Sequence, residues 1–265
     1  MKQRIITGVI LGLLVLWAIF GFGSLIFNLC ILAILLLGAW EWTQFCGCDK
    51  PWSKVIYLVI TVMLIYLSSG YVVLTMVVAL LFWIWAVLLL WRYTKDQKPT
   101  PLMFRYVFGF LVIVPLFSAI SVLHQYRPTL LLVLMLIVAF ADSGAYFVGR
   151  KMGRHKLAPV ISPKKSWEGL AGGVVFGGSV GVIASLFLNL SLLGHLGMIV
   201  MSFLLVIIAL VGDLFESMIK RQCGIKDSGT ILPGHGGILD RMDSLFSTIP
   251  IYAFFMIITG IIYLS

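Results

Sequence analysis

The sequence predicts an all-α protein, a polytopic bundle of transmembrane helices. Its 265 residues are 61% hydrophobic and only 11% charged, and the mean hydropathy is +1.11. Several apolar runs are long enough to cross about 30 Å of hydrocarbon as helices. We therefore expect a single integral membrane domain over 1–265, with N-terminal helices in 1–128 and the helices and loops that carry the charged motifs in 129–265.

The apolar runs predict about nine spans. They lie near residues 5–21, 24–45, 55–69, 71–91, 106–123, 129–149, 169–190, 195–215 and 247–264. Placing the N-terminus in the cytoplasm leaves only Arg127 outside, so that 18 of the 19 Lys and Arg residues are cytoplasmic, as the positive-inside rule requires. The first run lacks a small-residue cleavage site and leads directly into the second, which favours a retained span over a secretory signal. Orientation and anionic lipid headgroups account for the net charge of +9, so no nucleic acid partner is expected.

The acidic residues are concentrated in two segments, 142–168 and 213–243. These segments carry seven of the ten carboxylates and 10 of the 19 basic residues. The seven acids are Asp142, Glu168, Asp213, Glu216, Asp227, Asp240 and Asp243. Charges gathered beside a bilayer in this way indicate a functional site rather than a general property of the surface.

Asp240 and Asp243 are three residues apart, which places both carboxylates on one face of a helix. Two acids so close repel each other unless a cation lies between them, and hard divalent metals such as Mg²⁺ prefer that arrangement. Asp213 follows a long apolar stretch at the end of the eighth span, where an ionisable residue is a functional candidate. The alternative is that all three are solvated charges at helix ends.

A glycine-rich stretch separates Asp213 from the Asp240/Asp243 pair. Its glycines allow the backbone amides to approach an anionic ligand, and a helix that begins just after them adds its positive dipole end. Basic residues surround the stretch, so metal plus polyphosphate is the favoured interpretation. However, turns between membrane helices also collect Gly and Pro, and a lone histidine in a loop is often structural. The residues concerned are Gly234, His235, Gly236 and Gly237, with Lys220, Arg221, Lys226 and Arg241 nearby.

The other charged segment begins with Asp142 near the end of the sixth span and continues into a basic loop. Within this loop, the run Ser162-Pro163-Lys164-Lys165-Ser166 is able to hold one particular phosphate. The loop is equally able to bind anionic headgroups in general. Composition does not separate these two possibilities.

These motifs together resemble the signature of the phosphatidate cytidylyltransferase family, also called CDP-diacylglycerol synthase. The long match is Ser217-x2-Lys220-Arg221-x4-Lys226-Asp227-x-Gly229-x2-Leu232-Pro233-x-His235-Gly236-Gly237-x2-Asp240-Arg241-x-Asp243. Asp142-Ser143-x-Ala145-Tyr146 and the run from Ser162 through Glu168-Gly169 are also similar to that family. The specific similarity covers about the C-terminal half of the chain.

The resemblance implies a Mg²⁺-dependent enzyme of phospholipid synthesis that converts phosphatidic acid and CTP to CDP-diacylglycerol and pyrophosphate. It also implies a homodimer, paired-metal binding with a second cation, and a site at the cytoplasmic face of a bacterial inner membrane. Metal binding is carried over to Asp213, Asp240 and Asp243, and catalytic roles to these three with Lys226 and Asp227. Substrate binding is carried over to Asp142, Lys164, Lys165, Ser166, Ser217, Lys220, Arg221, Gly234, His235, Gly236, Gly237 and Arg241.

Two other classes fit parts of the pattern less well. A transporter would place its charges near the middle of the membrane and show repeated halves, and neither feature is evident in the sequence. A CDP-alcohol phosphotransferase would need a longer array of aspartates, which is absent. In the seventh span, Gly169, Gly173, Gly177 and Gly181 predict a smooth face for another helix, in the same chain or across a dimer.

Overall fold

The computed structural model describes residues 2–48, 50–188, 190–229, 231 and 236–262, with only the backbone for residues 2–11. Within these ranges the chain forms nine helices and one β-hairpin. The helices are α1 (Lys2–Gly21), α2 (Ser24–Phe45), α3 (Pro51–Ser68), α4 (Val72–Asp96), α5 (Leu102–Tyr126), α6 (Pro128–Met152), α7 (Trp167–Phe187), α8 (Leu192–Gln222) and α9 (Leu239–Ile258). The hairpin strands are β1 (Lys156–Ala158) and β2 (Ser162–Ser166), which pair antiparallel.

Eight of the described helices, α2 to α9, are long and apolar enough to cross a membrane. The predicted helical membrane bundle is therefore confirmed. The first predicted span coincides with α1, but the side chains of its first half lie outside the described residues, and the remainder, Gly12–Gly21, is a shorter apolar helix. The hairpin between α6 and α7 was not predicted, because its polar residues show no clear alternation.

Two helices extend further into the charged segments than the hydropathy indicated. Helix α8 continues to Gln222, where the prediction ended the span at residue 215. Polar pairs one turn apart support this extension, since Lys220 lies 3.2 Å from Glu216 and Ser217 donates to Asp213 at 3.3 Å. Helix α9 begins at Leu239 rather than near residue 247, which places both aspartates of the Asp-Arg-Met-Asp motif within its first turns.

The connections that carry the charged motifs meet at one end of the bundle, which we call the site end. There Arg105, near the start of α5, donates to the carbonyl of Phe45 at the end of α2 and to the sulfur of Cys223 just after α8. Arg221, in the last turn of α8, donates to the carbonyl of Ile161 in the hairpin. The α2–α3, α4–α5, α6–α7 and α8–α9 connections therefore lie together, as the alternation of successive spans predicts.

Helices α6, α7 and α8 pack closely because the glycine stripe of α7 faces its neighbours in the same chain. A Cβ added at Gly177 would lie 2.8 Å from a methyl carbon of Val206 in α8 and 3.0 Å from the carbonyl oxygen of Ile137 in α6. A Cβ at Gly181 would likewise collide with Ser202. The small residues thus bring three backbones together, and their charged ends share one site.

Candidate functional site

A cavity of about 540 Å³ lies at the site end between α6, β2, α7 and α8. One part of its wall is apolar, with Leu157, Leu170, Val206 and Leu210 among the lining side chains. The polar and charged side chains that line it are Asp142, Tyr146, Arg150, Ser162, Lys164, Lys165, Ser166, Asp213 and Ser244. A ligand that is both anionic and apolar would find matching surfaces here.

Lys165 lies among the carboxylates at this cavity. Its ammonium forms an ion pair with the carboxylate of Asp213, and both side chains are mostly buried. Asp142 and Asp243 also interact electrostatically with Lys165 and with Asp213. When all four groups are ionised, three carboxylates face one ammonium, so the cluster has an excess of two negative charges. Such an excess near the bilayer favours the binding of a further cation.

The hairpin that carries the cavity lysines is anchored to the start of α7. Ser166 is the N-cap of that helix, and its hydroxyl accepts from the Gly169 amide at 3.1 Å. The carboxylate of Glu168 accepts from the backbone amides of Arg154 and His155, and lies 2.6 Å from the imidazole Nδ1 of His155. These contacts fix both ends of the hairpin and so set where Lys164 and Lys165 lie.

A second charged group lies beside the cavity, around Lys220. Its ammonium is 2.6 Å from Asp240 Oδ1 and 3.2 Å from Glu216 Oε1. Glu216 is 1% exposed, so Lys220 compensates a carboxylate that has almost no contact with solvent. Asp243 interacts electrostatically with Lys220 and Glu216, and thereby links this group to the Lys165 cluster.

Asp240 has both carboxylate oxygens engaged. Oδ1 accepts from Lys220, while Oδ2 accepts from the backbone amides of Ser228 and Gly237, both at 2.9 Å. The chain reaches this position through Gly236, whose φ of 84° lies in the left-handed region, where glycine is favoured. The glycines before α9 thus turn the backbone so that its amides meet a carboxylate.

The three predicted metal ligands have different surroundings. Asp213 and Asp243 interact with each other, whereas Asp240 is occupied by Lys220 and two amides. Within the described ranges, no three His, Cys, Asp or Glu side chains converge as a ready-made metal site. Metal binding by these aspartates therefore stays a prediction.

The other predicted residues lie at the site end in less central positions. Ser217 donates to Asp213 at 3.3 Å, and Arg221 donates to the hairpin carbonyl of Ile161. Three more of the predicted residues are exposed: Lys226 and Asp227 on the segment that joins α8 to α9, and Arg241 at the start of α9. Gly234 and His235 lie outside the described residues.

Sequence reasoning missed two acids as site residues, Glu41 and Glu216. Both are buried, at 0% and 1% exposure. Glu41 lies near the end of α2, where its carboxylate accepts from the Leu239 amide at the start of α9. The available signal was a carboxylate within an apolar span, which is costly unless it has a role.

Comparison with known proteins finds sequence similarity over almost the whole chain. Residues 2–259 match the model of the cytidylyltransferase family. The chain is similar to the phosphatidate cytidylyltransferase of Haemophilus influenzae, with 37% identity covering 96% of this chain and 98% of that protein. It is also 37% identical to the Pseudomonas aeruginosa protein of that name, covering 96% of each chain. Identity to the Bacillus subtilis protein of the same name is 34%, covering 97% of each.

Proposed function

We propose that the cavity of the site end is where this chain makes CDP-diacylglycerol from CTP and phosphatidate. The chain belongs to the cytidylyltransferase family. A phosphate oxygen of phosphatidate attacks the α-phosphorus of CTP. The bond between that phosphorus and the oxygen leading to the β-phosphate breaks, and pyrophosphate leaves. Both reactants are anions, so the enzyme must neutralise and align them.

The observation that carries the proposal is the composition of the cavity wall. Lys164 and Lys165 provide cationic groups for phosphate oxygens, and apolar residues on α7 and α8 continue from the site into the region of the spans. The acyl chains of phosphatidate would lie along these apolar helices while CTP arrives from water. In this arrangement, Lys165 exchanges its carboxylate partner, Asp213, for a substrate phosphate.

The carboxylates fit a divalent cation in their chemistry. Asp142, Asp213 and Asp243 offer oxygen donors, which Mg²⁺ prefers, and they outnumber the one ammonium among them. We propose that Asp213 and Asp243 hold Mg²⁺, with Asp240 contributing less because its oxygens are already engaged. When bound, the metal would neutralise charge on the CTP phosphates. A second cation, which the family resemblance implies, forms part of the same proposal.

The proposal places the site end in the cytoplasm of a bacterial cell, at the inner membrane. Its support is the charge distribution, because this orientation puts 18 of the 19 Lys and Arg residues inside. CTP is also a cytoplasmic substrate.

The homodimer implied by the resemblance completes the proposal. The mass of the detergent-solubilised protein, corrected for bound detergent, tests it.

The test of the function is to supply the purified protein with CTP, Mg²⁺ and phosphatidate and to measure pyrophosphate and CDP-diacylglycerol. We expect both products in equal amounts. Lys165→Ala should lower turnover by roughly a hundredfold, since a charge-assisted contact with a phosphate is lost. The matched control is Lys156→Ala, which removes an exposed lysine from the neighbouring strand and should leave turnover nearly unchanged. Absence of both products from the folded wild-type protein would favour a transporter instead.

A further inference from the structure

Glu41 is a fully buried carboxylate in the N-terminal half of the chain, far in sequence from the charged motifs. It lies in the last turn and a half of α2, and its exposed fraction is 0%. Burying an ionisable group costs free energy unless its oxygens find partners. Oε1 of Glu41 has no hydrogen-bond partner among the described residues, whereas Oε2 has two, so the partners of Oε2 indicate why an acid occupies this position.

Glu41 binds both ends of the segment that connects α8 to α9. Its Oε2 accepts from the Ser228 hydroxyl at 3.3 Å and from the Leu239 amide at 3.0 Å. These residues are 187 and 198 positions away in sequence. One carboxylate oxygen thus fixes the distance between the point where the glycine-rich stretch begins and the point where α9 starts.

Two glycines of the same segment lie directly against this carboxylate. A Cβ at Gly229 would be 2.4 Å from Oε1 of Glu41, and a Cβ at Gly237 would be 2.6 Å from Oε2. Real Cβ atoms do not approach oxygen so closely, so the backbone reaches Glu41 only because these positions are glycine. Gly229 and Gly237 therefore leave room for the acid.

The contact continues from Glu41 to the charged group around Lys220. The Ser228 hydroxyl, which donates to Glu41, accepts from the Asp240 amide at 3.3 Å, and the Ser228 amide donates to Asp240 Oδ2. Asp240 in turn binds Lys220. Through Ser228 and Leu239, Glu41 is thus connected to Asp240 and to its ammonium partner.

We propose that Glu41 is a positioning residue for the use of CTP. It serves this role by holding both ends of the α8–α9 segment, at Ser228 and Leu239, in place. This inference rests on the proposed function. Glu41 acts through Ser228 and Asp240 rather than on the reacting atoms. Glu41 holds the start of α9, which carries Asp243, a proposed ligand of the Mg²⁺ that neutralises the CTP phosphates, whereas none of its contacts among the described residues is with the apolar wall of the cavity. Loss of Glu41 therefore alters the use of CTP more than the use of phosphatidate.

The test compares Glu41→Met, which keeps the length of the side chain without its acceptor oxygens, with Glu41→Gln, which retains one acceptor. We expect Glu41→Met to raise KM for CTP roughly tenfold, as for the loss of a buried hydrogen-bond acceptor. KM for phosphatidate should remain within about twofold. Glu41→Gln should restore KM for CTP to near the wild-type value, because its oxygen still accepts from Ser228 and Leu239.

Three further measurements separate positioning from general stability. Ser228→Ala should also raise KM for CTP. In Glu41→Met/Ser228→Ala, KM for CTP should be no higher than in Glu41→Met alone, because both substitutions act through one contact. Thr43→Val is the control, since the hydroxyl of Thr43 is buried but donates within α2, to the carbonyl of Trp40. It should leave KM for CTP unchanged.

The proposal is overturned if Glu41→Met loses activity per milligram with an unchanged KM for CTP, because a merely structural role reduces only the active fraction. Multiplying effects in the double variant would overturn it as well. Should Glu41→Met not fold, an unchanged KM for CTP in Ser228→Ala overturns the proposal by itself. A wild-type protein that makes no CDP-diacylglycerol refutes the proposed function instead, so the two failures are distinguishable.

Discussion

Replacing Lys220 by Met tests whether the charged group beside the cavity stabilises the fold. The ammonium lies 2.6 Å from Asp240 and 3.2 Å from Glu216, and its side chain is 12% exposed. Met keeps much of the side-chain length and removes the charge. Two mostly buried carboxylates then lose their shared cation.

The expected cost follows from what each carboxylate retains. Asp240 still accepts from the amides of Ser228 and Gly237, so part of its charge remains compensated. Glu216, with a side chain 2% exposed, forms no second ion pair with any of the described residues. Removing one member of a buried ion pair typically costs about 3–5 kcal/mol. We expect about 3 kcal/mol here, because mainly one carboxylate is left uncompensated.

The assay is thermal unfolding of the purified protein in detergent. A loss of about 3 kcal/mol corresponds to a midpoint lower by roughly 6–12 °C for a chain of this size. Glu216→Gln/Lys220→Met should recover most of the loss, because the uncompensated charge is gone. Lys151→Met, an exposed lysine at the end of α6, should change stability by less than about 0.5 kcal/mol. The reasoning is wrong if the double variant has as low an unfolding midpoint as Lys220→Met. It is also wrong if Lys220→Met has the same midpoint as the wild type.

Asp243→Asn should raise the Mg²⁺ concentration needed for half-maximal activity by roughly tenfold or more, with the thermal midpoint nearly unchanged, because it removes a proposed ligand charge; an unaltered Mg²⁺ titration contradicts this assignment. Asp240→Asn should instead lower the thermal midpoint, since it weakens the contact with Lys220, and equal midpoints for the two variants would show that the aspartates are equivalent. Gly177→Val should destabilise the protein by about 1–3 kcal/mol, because its side chain meets α6 and α8 in the same chain. Gly12→Val, where an added Cβ has no neighbour within 4 Å among the described residues, is its control in the same unfolding assay.

The spans were predictable because the bilayer imposes both length and apolar character on every crossing helix. The end of α8 and the beginning of α9 were not, since the turns of both helices at the site end contain charged residues that hydropathy excludes. Lys220 illustrates the difference: as a single residue it marks the end of a span, but beside Glu216 and Asp240 it belongs to a helix packed against another helix. The end of α8 therefore depends on a partner from a second helix, Asp240 on α9.

The site was predictable where its residues are close in sequence and unpredictable where they are not. The run that contains Lys164, Lys165 and Ser166 was a candidate for holding a phosphate, and all three residues, which lie in β2, line the cavity. The ion pair between Lys165 and Asp213 joins residues 48 positions apart, and Glu41 contacts Leu239 across 198 positions. Such contacts depend on how the helices pack, which apolar periodicity does not specify.

The two aspartates of the Asp-Arg-Met-Asp motif differ because they lie at different depths in α9. Asp240, in the first turn, is close to amides that precede the helix, and these amides together with Lys220 supply three donors. Asp243 is one turn further along, where its neighbours include Asp213 as well as Lys165. A cation bound at Asp240 would compete with an ammonium already in place, whereas a cation at Asp243 relieves repulsion between two carboxylates. The same residue type at i and i+3 therefore stabilises the loop at one position, and at the other it is the residue that we propose as a metal ligand.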